Sequence, residues 1–256
     1  MKKVIIIGCT SGIGFELARQ YLKMGYIVGG TGRRAQILDD MEKEWKGRFF
    51  GATLDMTEYD TVAPVCASLL SKTGGMDLFI ISAAFSSKNK SLEFAVEDDI
   101  IRTNVNGFVA SANFAAKYFI NQKSGHLAGI SSVAKYFGNP GSLAYNASKA
   151  FISTYMEGLS LRLEKHSVSV TDIRPGFVDT PMIAGLKHSF WLVSVEKAAR
   201  QIIQSIGKRK RIVYISKRWR IASWILPHLP YRVFRVLNKV DTGDHHLKGE
   251  TEPPSK

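Results

Sequence analysis

Tyr145 and Lys149 stand four residues apart in the run Tyr145-Asn146-Ala147-Ser148-Lys149. On a helix, that spacing puts a phenol and an ammonium on one face. A free phenol titrates near ~10 and is a poor acid–base group at neutral pH. A fixed cation beside it favours the phenolate, so the pairing predicts a lowered tyrosine pKa. Such a pair suits proton transfer to or from a carbonyl oxygen. The same pattern arises by chance in many helices, so its surroundings decide its weight. Ser132 lies upstream, after the run Gly129-Ile130-Ser131, and Asn104-Val105-Asn106-Gly107 lies earlier still. Pro175-Gly176-Phe177-Val178-Asp179-Thr180 follows the next apolar run.

A second chemistry-bearing segment is Gly8-Cys9-Thr10-Ser11-Gly12-Ile13-Gly14, directly after an apolar run and before a helical pattern. Glycines let the backbone turn tightly and approach a diphosphate without a Cβ in the way. The helix N-terminus then offers free N–H groups and partial positive charge. Thr10 and Ser11 add hydroxyl donors. An acidic residue at the end of the second strand would hold the adenosine ribose of NAD, and a basic one the 2′-phosphate of NADP. Here the residues are Gly30-Thr31-Gly32-Arg33-Arg34, with no carboxylate. An arginine offers a phosphate a planar, two-pronged donor set. NADP(H) is therefore expected over NAD(H), with Arg33 and Arg34 at the phosphate. No metal site is expected.

These groups need a scaffold. Strand-like runs fall at Lys3–Gly8, Tyr26–Thr31, Arg48–Leu54, Asp77–Ser82, His126–Ser131, Ser169–Ile173 and Ile212–Ile215. Helical spacing separates most of them, as in Phe15–Met24 and Phe151–Leu163. Continuously apolar strands alternating with helices predict a doubly wound α/β domain, a parallel sheet between two helical layers. The chain of 256 residues suits one such domain over 1–216. A basic amphipathic extension over 217–240 and a polar, disordered tail over 241–256 are expected to follow. Two cysteines make no disulfide framework and point to a reducing, cytoplasmic setting. No run approaches the ~20 apolar residues that cross a bilayer, so a soluble or surface-bound protein is expected. The opening apolar run is too short for a signal peptide.

Together, the order and spacing of these motifs resemble the single-domain short-chain dehydrogenases/reductases over roughly residues 1–215. The family's turn is usually T-G-x-x-x-G-x-G, and Ile7 stands in the threonine position. The resemblance implies Tyr145 as proton donor in reduction and Lys149 as the group that lowers its pKa and holds the nicotinamide ribose. It implies Ser132 on the reacting carbonyl, with Ser131 the competitor that points toward the sheet. Asn104 would position a water linking Lys149 to solvent. The Val178 backbone and Thr180 would hold the carboxamide, with Pro175 and Gly176 also at the cofactor. Asp55 and Met56 would meet the adenine, and Gly32 takes the place of an NAD-specific aspartate. The family's N-N-A-G after strand four is replaced by Ile81-Ser82-Ala83-Ala84. Ser82 and Ala83 keep the small residues beside the cofactor, but the asparagine's hydrogen bonds are lost. Dimers or tetramers paired through helices near 104–121 and 144–164 are a further implication.

Two apolar segments follow the expected site, 133–143 (Val133, Tyr136, Phe137, Pro140, Leu143) and 181–192 (Met182, Ile183, Leu186, Phe190, Trp191). They suggest a hydrophobic substrate such as a long-chain 3-keto lipid, or only packing of a flap. The net charge of +13 is concentrated, with twelve Lys and Arg and no Asp or Glu between Lys197 and Lys239. Basic residues interleaved with Trp, Phe and Leu over 217–239 suit an anionic membrane surface. Packing over the pocket or a sister subunit is the competing reading. Nucleic-acid binding is disfavoured, because no recognition module accompanies the charge. Besides carbonyl reduction, a reductase of small soluble ketones and a non-catalytic nucleotide-binding protein stay open. A sugar-nucleotide epimerase or dehydratase is disfavoured by the lack of room for its substrate domain.

Overall fold

The computed structural model describes residues 1–183, 191–230, 232, 233 and 235. Seven strands form one parallel sheet: β1 (Lys3–Ile7), β2 (Ile27–Gly32), β3 (Phe49–Thr53), β4 (Leu78–Ile81), β5 (Gly125–Ile130), β6 (Val168–Pro175) and β7 (Ile212–Ile215). All seven fall where apolar runs predicted them, with ends shifted by at most two residues. The strand order is β3-β2-β1-β4-β5-β6-β7. The order therefore reverses between β1 and β4, which opens a crevice at their carboxyl ends.

The apolar runs are continuous because both sheet faces are covered. In β1, Val4 and Ile6 enter one core while Ile5 and Ile7 enter the other, as the two-residue period of a strand requires. The first core lies under α1 (Gly12–Lys23), α2 (Ala35–Glu44) and α7 (Val195–Gly207). The second lies under α3 (Val62–Thr73), α5 (Phe108–Gln122) and α6 (Leu143–Glu164). Each fully buried aliphatic side chain contributes about 1.5–3 kcal/mol. α4 (Phe94–Ile101) leads through a π-helical turn, Arg102–Gly107, into α5. Gly129 lets α5 and α6 close on β5, since a Cβ there would lie 2.8 Å from the Phe108 ring and 3.1 Å from Met156 Sδ.

Apolar spacing alone marked α6 only from Phe151, while the family resemblance implied a helix near 144–164. The helix begins at Leu143, so Tyr145 and Lys149 sit in its first two turns. The start was masked because Ala144, Asn146 and Ser148 are small or polar yet buried. Within the expected extension, a short helix α8 (Trp219–Ile225) follows β7. The rest of that extension from residue 236, the expected tail 241–256, and residues 184–190 lie outside the described residues. Among the described helices, none is long and apolar enough to cross a membrane.

Buried His126 on β5 links two strands. Its Nε2 lies 2.7 Å from Thr171 Oγ1, and that hydroxyl donates to Lys210 O at 2.7 Å. Burial, with Arg209 nearby, pushes its pKa down to about 4 from 6.5. The unfolded chain therefore takes up this proton first as pH falls. Stability from neutral His126 is present above pH 6.5 and is lost toward pH 4, at up to about 1.4 kcal/mol per pH unit. Urea unfolding of His126→Gln is expected to show a shallower loss across that window, and a loss as steep as wild type's would contradict this.

Candidate active site

A cavity of about 680 Å3 opens at the β1/β4 crevice, and the strand ends place its walls. Gly8 takes a left-handed φ of +85°, and a Cβ there would lie 2.6 Å from the Ala83 backbone. Its N–H donates to Thr31 O at 3.1 Å, and Cys9 N–H to the same oxygen at 2.7 Å. The turn is thereby tied to the end of β2. Thr10, Ser11, Gly12 and Ile13 line the cavity. Gly14 does not; it lies beneath the turn, where a Cβ would strike the Gly8 carbonyl. Gly32 has no room for any side chain, because a Cβ would collide with Thr10. An aspartate at position 32 would have to displace the Thr10 side chain.

Arg33 and Arg34 are exposed on the cavity rim, and Arg34 Nε donates to Thr10 Oγ1 at 3.4 Å. Asp55 and Met56 form the neighbouring wall. Burial disfavours the Asp55 charge, but hydrogen bonds from Thr57 and the fields of Arg33 and Arg102 outweigh it and hold its pKa below the usual range. At the end of β4, the N–H groups of Ser82 and Ala83 both donate to Ile7 O at 2.8 Å. Backbone bonding thus secures the strand end where the family's asparagine is missing. Pro175, Gly176, Val178 and Thr180 close the other side.

Ser132, Tyr145 and Lys149 meet on the cavity wall. Ser132 caps a short 3-10 turn by accepting from Ala134 N–H at 3.1 Å, which fixes its hydroxyl near Pro175 O at 3.3 Å. Lys149 Nζ lies 5.5 Å from the Tyr145 ring centroid and donates to Ile130 O at 3.0 Å. The expected fall in the tyrosine pKa is not found. Burial pushes Tyr145 up to about 12, against a hydrogen bond from Ser132. Burial likewise pushes Lys149 down to about 8, with Asp172 opposing. The phenol therefore holds its proton at neutral pH, the state that a proton donor needs.

Asn104 is fully buried behind the wall. Its Oδ1 accepts from Phe85 N–H at 2.7 Å, and its Nδ2 donates to Phe85 O at 2.9 Å and Ser148 Oγ at 3.0 Å. It clamps the segment after β4 to α6. That brings Phe85 and Ser86 onto the cavity wall with Met182 and Ile183. Of the two apolar segments, only 181–192 supplies wall residues among those described. Residues 133–143 do not line the cavity: Tyr136 turns to the sheet edge, and Leu143 is exposed. Leu186 and Phe190 lie outside the described residues.

Sequence reasoning missed Asp172. It sits buried on β6 and accepts from Ser131 Oγ, Ser153 Oγ and Arg174 Nε, the last at 2.7 Å. Ser131 thus faces the sheet, as expected, and Ser132 the cavity. Arg174 Nη1 continues to Tyr136 OH at 2.7 Å and Tyr214 OH at 2.9 Å. The only sequence signal was two charges inside an apolar strand.

Family comparison agrees with this architecture. Residues 2–189 match the short chain dehydrogenase model, and the chain belongs to that family. An uncharacterized oxidoreductase of Myxococcus xanthus is 35% identical over 190 residues, covering 72% of this chain and 74% of that protein. Serine 3-dehydrogenase of Agrobacterium fabrum is 31% identical over 180 residues, covering 69% and 72%. Among solved structures, ElxO with NADP bound superposes with a TM-score of 0.75 at 20% identity, covering 84% of this chain and 96% of that one. A closed serine dehydrogenase complexed with NADP+ gives 0.75 at 22%, covering 83% and 93%. The protein is thus an oxidoreductase of the short-chain dehydrogenase fold.

The Asp172–Arg174 pair is buried on both sides. Removing one partner of such a pair leaves an uncompensated charge and costs about 3–5 kcal/mol. Urea unfolding of Asp172→Asn is expected to show a loss of that size, and a loss under ~1 kcal/mol would contradict the assignment.

Proposed function

We propose that this protein reduces a carbonyl to an alcohol with NADPH, on a hydrophobic substrate. The observation that carries the reading is the convergence of Ser132, Tyr145 and Lys149 on the cavity beneath the glycine turn. The bare backbone at Gly8, the crowding at Gly32 and the rim arginines fit a phosphorylated dinucleotide. Such a cofactor supplies the hydride when bound. Ser132 hydrogen-bonds the substrate oxygen and stabilises its developing charge. Tyr145 delivers its proton to that oxygen. Lys149 keeps a positive charge beside the phenol and holds ribose hydroxyls. Arg33 and Arg34 face the 2′-phosphate, which favours NADP(H) over NAD(H). Asp55, Met56, Pro175, Gly176, Val178 and Thr180 seat the two ends of the dinucleotide.

Phe85, Met182 and Ile183 give the substrate end an apolar wall, which favours a lipid-like carbonyl such as a long-chain 3-keto lipid. The same reading places the protein in the cytoplasm, peripheral on an anionic membrane through 217–239. α5 and α6 are the expected pairing helices of a homodimer or homotetramer, and Phe151 and Leu161 on α6 are exposed.

NADPH oxidation with a long-chain 3-ketone tests the reaction. Wild type is expected to turn it over with a higher kcat/KM than a short ketone. Tyr145→Phe is expected to lower kcat by about 10^2–10^4-fold without shifting Tm, the usual contribution of a general acid. Unchanged turnover in Tyr145→Phe would overturn the mechanism, and no turnover by wild type on either ketone would favour a binding protein. Arg33→Ser is expected to weaken NADPH binding while leaving NADH binding within about twofold; equal weakening of both would remove the arginine from the phosphate.

A further inference from the structure

A second groove, of about 650 Å3, lies away from the catalytic cavity, between α7, β7 and the start of α8. Its wall carries Lys208, Lys210, Arg211, Lys217 and Arg220, and no carboxylate among the lining residues. All five cations are exposed. Arg211 has a partner, Glu157, at 3.6 Å. β7 is the edge strand of the sheet. An edge strand leaves a row of backbone groups without a strand partner, and these include N–H donors. The catalytic reading uses none of these groups. A concave surface with this donor set recognises a phosphate.

The neighbouring helix specifies where that phosphate comes from. α8 is anchored by its inner face. Trp219 covers Gly176, where a Cβ would collide with the indole, and its ring meets Phe177 and Trp191 at centroid distances of 5.8 and 5.3 Å. Ser223 is buried on the same side. The outer face is apolar and open: Ile221 is 68% exposed, Trp224 75% and Ile225 46%. Arg220 and Trp224 lie four residues apart and share a face, so the groove's basic wall runs into this ridge. Cations beside exposed Trp and Ile on an anchored helix match the boundary between lipid head groups and acyl chains. A small soluble anion would fill the groove and leave the ridge bare.

We propose that this groove seats the phosphate head group of an anionic phospholipid while Ile221, Trp224 and Ile225 enter the bilayer surface. The site rests on the membrane-surface reading above and adds to it a defined lipid seat. Because Trp219 of the same helix leans on Gly176 at the rim of the catalytic cavity, docking sets the bilayer beside the wall formed by Pro175, Gly176 and Val178.

Cosedimentation of the full chain with phosphatidylcholine vesicles, with and without about one third phosphatidylglycerol, tests the seat. Strong partition is expected only with phosphatidylglycerol. Lys208→Gln with Lys210→Gln is expected to weaken it on the order of 30-fold, since each basic residue near an anionic surface contributes roughly fivefold. Lys43→Gln with Lys46→Gln, at the opposite edge of the sheet by α2 and β3, is expected to change it less than about threefold. Trp224→Ser is expected to weaken binding at high salt as well as low, because its contribution is apolar. Equal weakening by the two lysine pairs would replace the seat with diffuse attraction, and equal binding to neutral vesicles would overturn the proposal. NADPH oxidation with a short soluble ketone is measured on the same samples. Turnover without vesicle binding sinks the lipid seat alone, whereas vesicle binding with no turnover of this ketone or of a long-chain one sinks the reductase reading alone.

Discussion

An ammonium group buried beside a phenol is the constraint around which this molecule is built. Taking Lys149 out of water is costly unless its charge is answered nearby. The Ile130 carbonyl accepts from it, and the Asp172 carboxylate raises its pKa against burial. Asp172 is itself held by Ser131, Ser153 and Arg174, which come from the residue just after β5, from α6 and from β6. One polar cluster therefore fixes the register of three elements, and Tyr145 and Ser132 inherit their positions from it. The cluster also explains why the chain tolerates charge inside β6, otherwise a continuously buried strand.

The cofactor cradle obeys a different constraint, that of close approach. Gly8 lies against Ala83, Gly14 under the Gly8 carbonyl and Gly32 against Thr10. None of the three positions accepts a side chain, so the turn, β2 and β4 are locked together before any ligand arrives. The crowding at Gly32 gives the absence of an acidic residue there a steric cause. Arg33 and Arg34 then stand at the rim with no carboxylate at position 32 beside them.

The sequence made the seven strands legible, because a parallel sheet covered on both faces writes itself as uninterrupted apolar runs. The tyrosine–lysine pair and the glycine turn were legible through spacing. The direction of the tyrosine shift was not, because spacing reports the neighbouring charge and not the depth of burial. Asp172 was hidden because a lone acid in a strand reads as a surface residue until its three partners from distant segments are placed. Asn104 was found, but its clamp on the Phe85 backbone joins segments nineteen residues apart and leaves no local pattern. Tyr136 looked like a pocket residue by its neighbourhood, yet its hydroxyl belongs to the Arg174–Tyr214 cluster.

The pH dependence of a single turnover of NADPH oxidation, on one soluble ketone, tests the buried pair most directly. The account predicts a rate that is level through neutral pH and falls with one apparent pKa near 8, where Lys149 loses its charge. In Lys149→Arg that limb should move beyond the measurable range, because a guanidinium stays charged. A rate in wild type that stays level to pH ~10, or a limb near 8 that persists in Lys149→Arg, would contradict it.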